Sequence, residues 1–85
     1  MGEKHFVYIL LTERDTFYCG YTDDVEKRYQ AHIEGKGAKY TRGRGPLKIV
    51  YQELCGTRSD ALKRELEIKA LSREKKEALI AGTKD

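Results

Sequence analysis

Five side chains in this sequence, Tyr8, Tyr18, Arg28, His32 and Glu65, are of the types that phosphodiester hydrolysis calls for. A hard cation held by carboxylate oxygen polarises the phosphate, a base takes a proton from water, and a guanidinium neutralises charge building on the phosphoryl oxygens. Glu65 is the candidate metal ligand and Arg28 the candidate phosphate clamp. A tyrosine whose proton is drawn towards metal-bound water or His32 serves as base or positions the water. Free tyrosine titrates near ~10, so the base role needs strong electrostatic help. Plainer roles exist for each: a strand aromatic with a wet hydroxyl, a satisfied core histidine, a surface arginine, a Glu65 salt bridge to Lys or Arg. What favours a site is that all five fall on elements that converge.

Those elements are readable along the chain. His5 to Leu11 is apolar on both parities, as a central strand covered on both faces requires. Glu13-Arg14-Asp15 makes a short polar connection, and Thr16 to Tyr21 returns as an aromatic-rich second strand. With Thr12 opposite Thr16, Leu10 faces Tyr18 and Tyr8 faces Gly20. Both tyrosines then share one face, and Gly20 leaves space over the Tyr8 ring, as a binding pocket needs. Asp23 and Glu26 read as a capping box for a helix over Asp24 to Glu34 whose inward stripe is Val25, Tyr29 and Ile33. His32 falls between Val25 and Tyr29 on that wheel, with Arg28 just to one side. Leu47 to Leu54 reads as a third strand antiparallel to the first. Thr57 and Asp60 cap a second helix, Arg58 to Leu71, with Ala61, Leu62, Leu66, Ile68, Ala70 and Leu71 on its apolar face. Glu65 lies on or beside that face, whereas Glu67 points elsewhere. Ser72 caps a third helix that stops near Gly82.

The chain of 85 residues is one domain with a thin core. A charged fraction of 36% and a negative mean hydropathy fit a soluble globule, and no apolar run approaches the ~20 residues of a membrane span. The N-terminus has no apolar signal region, so a cytoplasmic location is expected. Cys19 and Cys55 are the only cysteines, and two inert thiols are favoured over a disulfide or zinc site. The net charge of +3 is unevenly spread: residues 35–52 carry Lys36, Lys39, Arg42, Arg44 and Lys48 with no acid, and the remainder sums to −2. A one-sided basic segment is the footprint expected for a phosphate backbone, or else a solvated loop.

Phe6-Val7-Tyr8 and Tyr18-Cys19-Gly20, followed by Thr22, Arg28 and His32, resemble the two halves of the GIY-YIG nuclease signature and its catalytic stretch. Arg64-Glu65-Leu66-Glu67-Ile68-Lys69 resembles the stretch with the family's metal-binding glutamate. The likeness covers nearly the whole chain, and the chain's size resembles that of the small stand-alone bacterial members. It implies an α+β fold, a three-stranded antiparallel sheet flanked by helices in the order ββαβαα. It further implies a single Mg²⁺- or Mn²⁺-dependent cut in DNA, structure-selective and linked to repair or processing, with room for a protein partner that supplies targeting. Tyr8 is favoured as the base, with Tyr18 orienting water or phosphate. Glu65 is then expected to share one concave face with Tyr8, Tyr18, Arg28 and His32. Val7 and Cys19 depart from the signature's isoleucines, and Phe6 from its first glycine. The chain also has no asparagine, although many members carry one after the glutamate. That absence motivates a second reading, a nucleic-acid-binding module or partner subunit with little or no chemistry.

Overall fold

The computed structural model describes residues 4–35 and 47–82. Strands β1 (His5–Leu11), β2 (Phe17–Thr22) and β3 (Lys48–Gly56) form one sheet in the order β2-β1-β3. Helices α1 (Val25–Ile33), α2 (Arg58–Lys69) and α3 (Arg73–Ala81) complete the expected ββαβαα order. The strand that is apolar on both parities takes the central place, antiparallel to both neighbours.

The hairpin has the expected register, with Leu10 opposite Tyr18 and Tyr8 opposite Gly20. Its turn is closed by the Thr12 amide donating to the Thr16 carbonyl at 2.9 Å, with the two threonine hydroxyls 2.7 Å apart. Asp15 takes a left-handed backbone there, φ 63°. Arg73 of α3 braces this turn: its guanidinium stacks 4.4 Å from the Phe17 ring centroid and reaches Asp15 Oδ1 at 3.0 Å.

Because side chains alternate along a strand, each parity of β1 feeds a separate core. Val7 and Ile9 pack with Cys19, Ala61 and Ile68, against which Leu79 and Ile80 of α3 also lie. Tyr8 and Leu10 pack on the opposite face with Val25 and Leu47, joined by Tyr18 and Tyr29. The sheet therefore separates α1 from α2 and α3.

Three expectations need correction. The α1 cap is Asp24, not Asp23; its carboxylate accepts the Lys27 amide at 3.1 Å while the Asp24 amide donates to the Thr22 hydroxyl. Ile33 is half exposed, and His32 takes its place in the buried layer beside Val25. On α2 the capping box of Thr57 and Asp60 forms, but the helix ends at Lys69 and its buried stripe is only Ala61 and Ile68. Leu62 and Leu66 are exposed. At about 100° per residue Leu66 sits roughly 140° from Ala61 on the wheel, whereas Ile68 returns to within about 20° of it. Both cysteines are free thiols, and burial pushes the Cys19 thiol up to about 11, which suits inert packing.

Candidate active site

Tyr8 and Gly20 are the starting point. A Cβ built on Gly20 would stand 2.6 Å from the Tyr8 hydroxyl oxygen and 2.8 Å from Cζ. The missing side chain is thus occupied by the Tyr8 ring itself, which crosses β2 at that point. The expectation of open pocket space over the ring is not met. Gly20 is required because the phenol lies on its backbone.

The phenol ends against α1. Tyr8 Oη and His32 Nε2 are 3.0 Å apart in a buried hydrogen bond, and each residue is only 2% exposed. The Tyr18 ring joins them, its centroid 5.3 Å from that of His32 and 6.4 Å from that of Tyr8. Arg28 sits one helical turn before His32, and its cation favours ionisation of the Tyr8 hydroxyl. Burial outweighs it and raises Tyr8 to about 12. Burial, and then the Arg28 cation, lower His32, so its imidazole is neutral at neutral pH. Arg28 and Tyr18 are half buried and keep access to solvent. Arg28 opens onto a hollow of about 240 Å³ shared with Thr22, Asp24 and Lys27.

Glu65 is placed elsewhere. It hangs from α2 on the Cys19 face of the sheet, its side chain 12% exposed, with Lys69 Nζ 3.5 Å from Oε2. It is inward, as expected, and Glu67 is outward, 65% exposed and bonded to Arg64. The single concave face is not what forms: Tyr8, Tyr18, Arg28 and His32 gather on one side and Glu65 lies on the other. β2 is one of the two edge strands of the sheet. There Tyr18 lines a groove of about 290 Å³ with Ile9, Phe17, Cys19, Lys69 and Lys76. Tyr18 thus packs with Tyr8 and His32 and also lines this groove.

Among the described residues no three His, Cys, Asp or Glu side chains gather to hold a metal. A lone carboxylate still suits Mg²⁺ or Mn²⁺, which retain several waters and complete their shell with substrate phosphate. Glu65 is the residue that would hold such an ion. Lys48 is exposed at the start of β3, whereas Lys36, Lys39, Arg42 and Arg44 lie outside the described residues. Sequence reasoning missed Lys69 and Lys76 as neighbours of this edge. The i,i+4 spacing from Glu65 identifies Lys69; Lys76 arrives through the packing of α3, which no local pattern encodes. Tyr29, expected on the inward stripe of α1, does face the core, and its hydroxyl donates to the Leu47 carbonyl at 2.7 Å, tying α1 to the entry of β3.

Residues 4–78 match the family model described as the GIY-YIG catalytic domain. The chain belongs to the GIY-YIG family. It is 51% identical over 79 residues to a UPF0213 protein of Staphylococcus saprophyticus, covering 93% of this chain and 96% of that one. A UPF0213 protein of Natronomonas pharaonis is 51% identical over 81 residues, with 95% of each chain covered. Among solved structures, the solution structure of a UPF0213 protein from Bacillus halodurans is 47% identical with a TM-score of 0.60, covering 92% of this chain and 83% of that one. A solution structure from E. faecalis gives 40% identity and a TM-score of 0.64 over 95% and 88% of the two chains. Membership of the GIY-YIG family carries a nuclease-type function acting on nucleic acid, in a family whose nucleases typically use divalent metals. No described helix is long and apolar enough to cross a membrane.

Proposed function

We propose that this GIY-YIG domain is a divalent-metal-dependent endonuclease that hydrolyses DNA phosphodiester bonds along the free edge of β2. The observation that carries the reading is Tyr18, which touches the His32 ring on one side and lines the lysine groove beside Glu65 on the other. A strand of nucleic acid on that edge meets the guanidinium of Arg28 from the α1 side. It meets the carboxylate of Glu65 from the α2 side.

Within this reading Arg28 clamps the scissile phosphate and offsets the charge that develops on its oxygens. Glu65 holds the ion, which supplies Lewis-acid polarisation when bound. Tyr18, half buried, is the phenol that can reach the attacking water. Tyr8 is sealed in, and its hydroxyl at about 12 is a poor proton acceptor at neutral pH. Its work is to hold His32 and Arg28 in place, so the water-facing role moves from Tyr8 to Tyr18. His32, neutral and buried, is held by the Tyr8 hydrogen bond and backs the Tyr18 ring. A chain this small offers little surface for base readout, which supports cutting selected by DNA structure, and the role proposed for it is in DNA repair or processing. The ion is Mg²⁺ or Mn²⁺, and targeting comes from a protein partner.

The test is incubation of purified protein with nicked, branched, single-stranded and duplex DNA, with Mg²⁺ or Mn²⁺ and with chelator. Metal-dependent cutting that is lost in Arg28→Ala supports the proposal. Absence of any cutting alongside salt-sensitive binding leaves instead the binding module, the reading favoured by the lack of asparagine in the chain.

A further inference from the structure

We infer that the groove between β2 and the α2–α3 corner binds a phosphodiester group of the same strand, next to the one that is cut, through Lys69 and Lys76. This rests on the nuclease reading and adds a site to it. The groove holds about 290 Å³, and Ile9 and Cys19 give it an apolar floor. Lys69 of α2 and Lys76 of α3 line the groove beside that floor. An apolar base under two cations strengthens their attraction for an anion, since little water or protein dipole screens them.

The neighbouring cations are arranged differently. Arg73, also on α3, is committed to Glu77 at 2.9 Å, to Asp15 and to the Phe17 ring. Arg64 is bonded to Glu53 and Glu67. Lys76 has no ion-pair partner among the described residues, and Lys69 has only Glu65, at 3.5 Å and i,i+4. The Lys69 side chain is 51% exposed and its contact with Glu65 is long, so a doubly contacted phosphate draws it away.

The test separates this site from the cutting reaction by working in chelator. Binding of a fluorescently labelled single-stranded oligonucleotide is followed by anisotropy at increasing salt, for the full chain and for Lys69→Gln, Lys76→Gln and their double variant. Each lysine lost is expected to lower the slope of log affinity against log salt by about 0.7, and the double variant by about 1.4. Lys63→Gln, on α2 away from the groove, is the reference and keeps the slope. As a readout that does not depend on variants, amide resonances of Phe17 and Cys19 in the unsubstituted protein are expected to shift on oligonucleotide addition. An unchanged slope in the folded double variant, or unmoved Phe17 and Cys19 resonances at saturation, overturns the inference. If the protein cuts DNA and the slope is unchanged, the groove is wrong and the nuclease reading stands. If the slope falls and no metal produces a cut, the groove stands and the nuclease reading falls.

Discussion

The layer between the sheet and α1 is half polar: Tyr8 and His32 are buried in it at 2% exposure and share a hydrogen bond. The layer between the sheet and α2 has Val7, Ile9, Cys19, Ala61 and Ile68, with its charged groups kept to the rim. The first is specified by hydrogen-bond direction and by one close approach to glycine; the second is specified by volume alone. A polar layer of this kind gives up some adhesion to fix where Arg28 and Tyr18 stand. The apolar layer supplies adhesion and leaves Glu65 at its margin, its side chain 12% exposed beside Lys69. The two halves of the site thus differ in how a mutation should affect them.

The largest contrast is expected between the two tyrosines. Tyr18→Phe should lower the cleavage rate by about 10²–10⁴ with little change in stability, measured by single-turnover kinetics and urea melts. Tyr8→Phe should act the other way, costing about 1–3 kcal/mol of stability because the buried His32 nitrogen loses that partner. Equal rate losses with no stability difference would erase the distinction between a water-facing and a positioning phenol.

The polar layer should also make stability depend on pH at both ends. Tyr8 is raised from 10 to about 12 in the folded chain, so the unfolded state loses this proton first. Stability is therefore intact below pH 10 and falls by about 3 kcal/mol as pH rises through 12. His32 is lowered from 6.5, so its contribution is present above that value and is lost as pH falls below it. Urea midpoints at pH 5.5, 7.5 and 11.5 check both signs. Burial also raises Tyr51, so the loss specific to Tyr8 is the part of the alkaline drop that Tyr8→Phe abolishes.

Gly20→Ala should cost about 1–3 kcal/mol, because the added carbon collides with a ring that is packed on every side. It should disturb the Tyr8 and His32 resonances while leaving those of Ala61 and Ile68 in place. The smallest effect belongs to the apolar side: Thr57→Ala removes one half of the α2 capping box and should cost about 1 kcal/mol in a thermal or urea melt. A uniform response of both layers to Gly20→Ala would mean that the sheet does not insulate them.

Much of this architecture is local and so was legible in the sequence. The two-parity run at His5–Leu11 announces a central strand, the five-residue polar break sets the hairpin register, and Thr57 with Asp60 marks the start of α2. The i,i+4 pair Arg28 and His32 could be placed on the Tyr8 face because hairpin and helix adjoin in the chain. What was not legible is global. Asp23 and Asp24 are equivalent as caps until the Thr22 hydroxyl selects the second. Leu62 and Leu66 look like core until one knows that a helix lying on a three-stranded sheet buries little more than one line of side chains. The side of the sheet that α2 takes is decided after the bulge near the end of β3 and the positive φ of Gly56, 94°, so Glu65 could be read as inward but not assigned to a face. Lys76 reaches the β2 edge only through the fold of α3 onto it.

The central claim is that one phosphodiester at the free edge of β2 is served from both faces of the sheet. The most direct measurement is metal-dependent cleavage of a branched or nicked DNA by the unsubstituted chain, Arg28→Ala and Glu65→Gln, side by side in Mg²⁺ or Mn²⁺. Arg28 and Glu65 lie in different layers, yet each substitution is expected to lower the rate by at least about 10²-fold, with urea midpoints close to that of the parent. Cleavage that persists undiminished in either variant would contradict the account.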